Sequence, residues 1–120
     1  MKFSGYYSIA VGLLMIGQWV FFLSVGAVVE LQTEPIRIAF HLAGELLTAV
    51  GLIAGGFALL RGKTWGKWLS LVAAGMLAYS VVVSPGYFAQ SGQWPLVGMF
   101  AALLALDVLS IYRLARFENR

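Results

Sequence analysis

Residues 34–60 read EPIRIAFHLAGELLTAVGLIAGGFALL. Thr33-Glu34-Pro35 has the form of a cap, an acidic first turn and a proline placed where its missing N–H is no loss. The run that follows is long enough to cross about 30 Å of hydrocarbon at about 1.5 Å per residue. It shows no alternation of polar and apolar residues, so a strand is not expected. Residues 34–60 are read as a membrane-spanning helix.

Working outward, three more runs share this character: residues 4–29, 65–83 and 94–114. Ser84-Pro85-Gly86 is expected to end the third, and Trp94-Pro95 opens the fourth in the manner of Glu34-Pro35. A bilayer core offers no water to backbone groups, so all four runs should be helices. Short connections make neighbours antiparallel. The expectation is a single-domain, all-α integral membrane protein: an antiparallel bundle of four transmembrane helices.

The totals agree. Of 120 residues, 61% are hydrophobic and 11% charged, against roughly 25% charged in an ordinary soluble domain. Mean hydropathy is +0.88. A soluble enzyme, a disordered chain and a nucleic-acid-binding module are excluded. The net charge of +3 makes no nucleic-acid footprint, because the basic residues stand at segment ends and not along one face. There is no cysteine, hence no disulfide or thiolate metal site. Lys2 and Val25-Gly26-Ala27 imitate a signal peptide, but the apolar run is longer than a usual signal core, and a retained first span is expected.

Charge also sets an expected orientation. Lys2, Arg61, Lys63, Lys67, Arg113, Arg116 and Arg120 fall on one side of a four-span arrangement. The other side has Arg37 beside Glu30 and Glu34. Positive charge marks the cytoplasmic side, which places both termini there, in a plasma (inner) membrane. Tyr6, Tyr7, Trp65 and Trp68 would anchor the inner interface, Tyr87 and Trp94 the outer one.

Ionisable groups within a span are costly and mark function or a buried pair. On the second span Glu34, Arg37, His41, Glu45 and Thr48 fall within an arc of roughly 80°, a polar stripe descending from the outer mouth. Below Thr48 the stripe becomes Leu52, Gly55 and Leu59. Depth counting brings Gln18 of the first span and Tyr79 of the third to the level of Glu45, with Ser80 and Ser84 nearer the surface. Such a cluster could exchange protons, bind a cation or hold a small ligand. It could equally be a satisfied polar network that sets helix register, with Glu45 bonded to His41, Gln18 or Tyr79. His41 and Glu45 supply at most two metal ligands, so no metal is expected. A single histidine leaves haem without a second axial ligand, and no cofactor is expected.

Asp107 is a second buried carboxylate, in the inner half of the fourth span. Ser110, Ser70 or Lys67 could bond it, and a proton path to Glu45 is the alternative. Gly51 and Gly55 are spaced for close helix approach, within the bundle or across a dimer. Trp65-Gly66-Lys67-Trp68 reads as an interfacial anchor. No nucleophile elbow or phosphate-cradling loop is found, so an enzyme is not expected.

Size and span count are similar to those of the small multidrug resistance transporters, whose buried glutamate lies in the first span. Here that span offers only Gln18 at depth, and Glu45 stands in the second, so no role is carried over. Two functions remain in view. One is a transporter- or sensor-like protein with an outward-opening polar pocket built on Arg37, His41, Glu45, Thr48, Gln18 and Tyr79, binding a small ligand, proton or cation. The other is a non-catalytic accessory subunit of a larger membrane complex. The lipid bilayer is the expected surrounding, and a homodimer or larger complex the expected assembly.

Overall fold

A computed structural model describes residues 2–116, except for the side chain of Tyr87. Five helices follow in order: α1 (Lys2–Ser24), α2 (Glu30–Thr33), α3 (Pro35–Leu60), α4 (Thr64–Gln90) and α5 (Trp94–Arg116). No strand occurs among the described residues. The four long helices are each long and apolar enough to span a membrane, which suggests a membrane protein. The short α2 lies in the connection between α1 and α3.

The connections between the long helices share one device. Gly26, Gly62 and Gly92 take φ values of 71°, 70° and 74°, left-handed backbone that a side chain resists. Just beyond each, an N–H turns back to the helix it has left: Ala27 to the Phe22 carbonyl (3.0 Å), Lys63 to Ala58 (2.8 Å) and Gln93 to Phe88 (2.9 Å). These bonds satisfy carbonyls that the end of a helix would otherwise orphan.

Glycine also explains where α4 stops. The expected end at Ser84-Pro85-Gly86 is not there, because α4 runs on through Pro85 to Gln90. Proline costs the helix one N–H, which would have served the Val81 carbonyl. In an apolar span the remaining backbone groups are still best satisfied by continuing the helix. Termination comes where a glycine turns left-handed, and that glycine is Gly92 and not Gly86. At the other boundary, Thr33 belongs to α2 and does not cap α3. Glu34 holds the N-cap position without a side-chain capping bond, and Pro35 opens α3.

Each long helix packs on the one before it: α3 on α1, α4 on α3, α5 on α4. The ring closes near the termini. There the Tyr7 hydroxyl donates to the Leu103 carbonyl (3.0 Å) and Ser110 Oγ donates to Ser4 Oγ (3.0 Å). The Arg113 guanidinium lies over the Phe3 ring. The Tyr7 ring is therefore core, not an interfacial anchor, because its hydroxyl finds a carbonyl inside the bundle. Tyr6, Trp65, Trp68 and Trp94 are exposed.

Helix α3 reaches its neighbours through glycine on two faces. A Cβ on Gly56 would lie 2.7 Å from the Gly5 carbonyl oxygen and from Ile9 Cγ1 of α1. Towards α4, a Cβ on Gly55 would come within 2.5 Å of Ser70 Oγ, and one on Gly51 would meet Ala73 at 3.2 Å. Gly51 and Gly55 thus serve packing within the bundle. The apolar core runs through Tyr7, Val11, Met15, Ala49, Leu52, Ala73, Leu77, Val81 and Phe100. Lys2, the Arg61–Lys63 turn, Lys67, Arg113 and Arg116 all lie towards the end of the bundle that carries the termini. Arg120 is outside the described residues, as is the Tyr87 side chain.

Candidate functional site

A groove of about 400 Å³ runs along the seam between α3 and α4, in the half of the bundle away from the termini. Glu45 and Thr48 from α3 and Ser80 from α4 supply its polar groups. Phe40, Met76, Tyr79 and Val83 form an apolar rim, and all four are exposed. The groove therefore opens on the flank of the bundle, between two helices, and not along the central axis.

Local helix geometry explains the arrangement. His41, Glu45 and Thr48 are spaced four and three residues apart, so they lie one above another on a single face of α3. Gly44 stands beside Glu45 with nothing within 4 Å of the place a Cβ would take. The carboxylate of Glu45 is the best-held group. Ser80 Oγ donates to Glu45 Oε1 at 2.7 Å, and His41 Nε2 lies 3.8 Å from the same oxygen. Only 11% of the Glu45 side chain is exposed, against 45% of His41. Thr48 Oγ1 donates to the Gly44 carbonyl at 2.8 Å, the ordinary back-bond of a threonine within a helix. His41 is steadied on its other side by an edge-on contact with Trp19, the ring centroids 5.7 Å apart.

Of the residues the sequence singles out, His41, Glu45, Thr48 and Tyr79 line one groove. Arg37 does not: it is exposed above the groove and donates to Glu34 at 3.2 Å. Gln18 is also elsewhere, on a shallow depression of α1 with Ala10, Leu13, Leu14 and Gly17. The physical reason is rotation. Depth along α1 is right for Gln18, but α1 is turned so that its next residue, Trp19, meets His41. Tyr79 reaches the groove with its side chain largely exposed, and the bond to Glu45 comes from Ser80 beside it. Asp107 lies apart from the groove, fully buried near the terminal end of α5. Neither carboxylate oxygen has a hydrogen-bond partner among the described residues; of the expected partners Ser110, Ser70 and Lys67, Ser110 donates to Ser4 instead.

The groove can offer one anionic, hydrogen-bond-accepting group among apolar and aromatic walls, with an imidazole one turn away. No group of three or more His, Cys, Asp or Glu side chains suited to a metal ion occurs among the described residues.

The whole of residues 1–120 matches the family described as Domain of unknown function (DUF8058), and the chain belongs to that family. No curated protein and no solved structure matches it.

Proposed function

We propose that the α3–α4 groove binds a small ligand, and that the protein is a transporter- or sensor-like component of a plasma (inner) membrane with both termini cytoplasmic. The observation that carries this reading is the Glu45 carboxylate, almost enclosed yet set in a groove that opens between exposed apolar side chains. Such a site suits an organic cation, or a hydrogen-bond donor with an apolar body, arriving from the lipid side; its volume is that of ordinary small-molecule sites. A proton or small cation at Glu45 belongs to the same chemistry. Glu45 is the recognising group and Ser80 orients it. His41 stands one helical turn from it, while Thr48 and Tyr79 shape the wall. Arg37 stands at the outer mouth, and Gln18 has no part in the groove. A transporter of this size requires a second copy to form an alternating pathway.

The second reading, an accessory subunit, draws on a different observation. Glu45 with Ser80 and His41, Arg37 with Glu34, and Thr48 with Gly44 satisfy one another. Thermal unfolding in detergent separates the two. Under the binding reading His41→Ala and Glu45→Gln melt with or above wild type at pH 5 and pH 8, since binding sites often trade stability for function. A lipophilic cation such as tetraphenylphosphonium then raises the melting temperature of wild type and not of Glu45→Gln. A loss of about 1–3 kcal/mol in each variant, with no response to the cation, supports the accessory subunit instead.

Orientation is tested separately. The chain has no cysteine, so a single Gln93→Cys or Lys63→Cys carries the only reactive thiol. Cysteine at 93 should react with a membrane-impermeant maleimide in intact cells, and cysteine at 63 only after permeabilisation. The opposite pattern would place the termini outside.

A further inference from the structure

The terminal half of the bundle holds polar groups that the groove does not use. Ser4 and Ser8 on α1, Ser70 on α4, and Asp107 and Ser110 on α5 are each 0% exposed. Measured from the helix ends on that side, Ser8, Ser70 and Ser110 lie about 9 Å deep, and Asp107 about 14 Å. Four helices surround one axis here, so side chains without any exposure turn towards it. The bonds Tyr7–Leu103 and Ser4–Ser110 straddle Asp107 along α5 and hold its face against the Ser4–Ser8 face of α1. From the opposite side Ser70 presses on Gly55, the glycine that makes room for it. Buried Val11, Leu52, Leu77 and Phe100 close this layer on one side, and Ala58, Leu59 and Leu114 on the other.

Ser110 and Ser4 serve each other, but four oxygens remain. Ser8 Oγ, Ser70 Oγ and both carboxylate oxygens of Asp107 have no hydrogen-bond partner among the described residues. Asp107 is also the only buried charged side chain among them. Two basic groups at this end lie over rings, the Lys67 ammonium 5.1 Å from the Trp68 centroid and the Arg113 guanidinium 5.4 Å from that of Phe3, and no basic group hydrogen-bonds to Asp107 among the described residues. A desolvated carboxylate without a counter-charge is strongly disfavoured. Unpaired oxygens carried by three helices and fully buried within the bundle form a donor set for a hard cation. One negative charge is balanced by one positive charge, whereas a divalent ion would leave an excess.

We propose that Asp107, Ser8 and Ser70 bind a dehydrated sodium ion between α1, α4 and α5. The site is separate from the α3–α4 groove and stands whether or not the groove binds a ligand. Bound there, the ion ties together the three helices whose oxygens it accepts and favours the closed terminal end of the bundle.

Melting of the purified protein in detergent tests this, in sodium, potassium or choline chloride at equal ionic strength and pH 8. Wild type should melt higher in sodium than in choline, with a saturable dependence on sodium. Asp107→Asn should melt at the same temperature in both salts. Ser8→Ala and Ser70→Ala should shift the sodium midpoint upward by roughly tenfold, a readout that does not depend on Asp107→Asn folding. Equal melting of wild type in sodium and choline overturns the site. If acidification alone then raises stability, the occupant is a proton on Asp107; if neither matters, bridging water satisfies the four oxygens. Sodium dependence that survives intact in all three variants places the ion elsewhere and also overturns it.

Discussion

Gly56→Val should abolish the native packing of α1 on α3. Any Cβ at this position lies 2.7 Å from the Gly5 carbonyl oxygen and 2.7 Å from Ile9 Cγ1, with the Ile9 backbone nitrogen at 3.3 Å. The Ile9 side chain can rotate away, but the Gly5 carbonyl is backbone and moves only if α1 moves. The contact is reciprocal, since a Cβ on Gly5 would meet the Gly56 oxygen at 3.2 Å. Valine adds two methyl groups to that clash and has few rotamers with which to escape it. Overpacking of this kind costs about 1–3 kcal/mol where side chains give way, and the backbone contact puts Gly56→Val at or above the top of that range. Unfolding in detergent with an increasing fraction of denaturing surfactant would measure the loss. Gly44→Ala is the control, because nothing lies within 4 Å of its Cβ position. It should be neutral or gain up to about 1 kcal/mol from helix propensity. Equal effects from the two variants would contradict the close α1–α3 crossing.

The second large effect is expected from Gly66→Val, at the start of α4. Its Cβ would lie 2.8 Å from Ala58 Cβ, 2.8 Å from the Leu59 nitrogen and 2.9 Å from the Ala58 carbonyl carbon. Two of these three atoms are backbone of α3, so relief requires the two helices to part at this crossing. The turn between them is pinned by Gly62 at φ 70° and by the Lys63 N–H to Ala58 carbonyl bond, which leaves little freedom for that movement. A loss of about 2–3 kcal/mol is expected, and Gly66→Ala should lose part of it. Gly75→Ala, whose Cβ position is open, should lose nothing. Unfolding in the same surfactant series measures the difference between these variants.

These glycines also show what a sequence reveals and what it withholds. Four apolar runs are legible because a hydrocarbon core demands about 20 apolar residues at a stretch, whatever their packing. The polar stripe on α3 is legible because residues on one helix keep fixed angular relations. His41, Glu45 and Thr48 accordingly share a groove. Relations between helices are another matter. Gln18 was the residue of matching depth, yet a rotation of α1 by one residue presents Trp19 to His41 instead. Likewise depth counting favoured Tyr79, while the hydroxyl that reaches Glu45 belongs to Ser80. Pro85 misleads for a different reason: it weakens a helix locally, whereas α4 ends where Gly92 accepts left-handed backbone. That Asp107 lacks a bond to Ser110 is likewise not legible, because Ser110, its neighbour one turn away, is engaged by Ser4 from another helix.

The order of packing carries a consequence for biosynthesis. Because α3 docks on α1, α4 on α3 and α5 on α4, each long helix after the first meets a partner already made when it leaves the ribosome. The exception is the junction of α5 with α1, where Ser110 meets Ser4 and Tyr7 meets Leu103. That junction joins the first long helix to the fourth, and it can form only once the fourth has been made. Asp107 lies on the helix that completes it. The one fully buried charged side chain among the described residues is thus delivered last, to neighbours already in place.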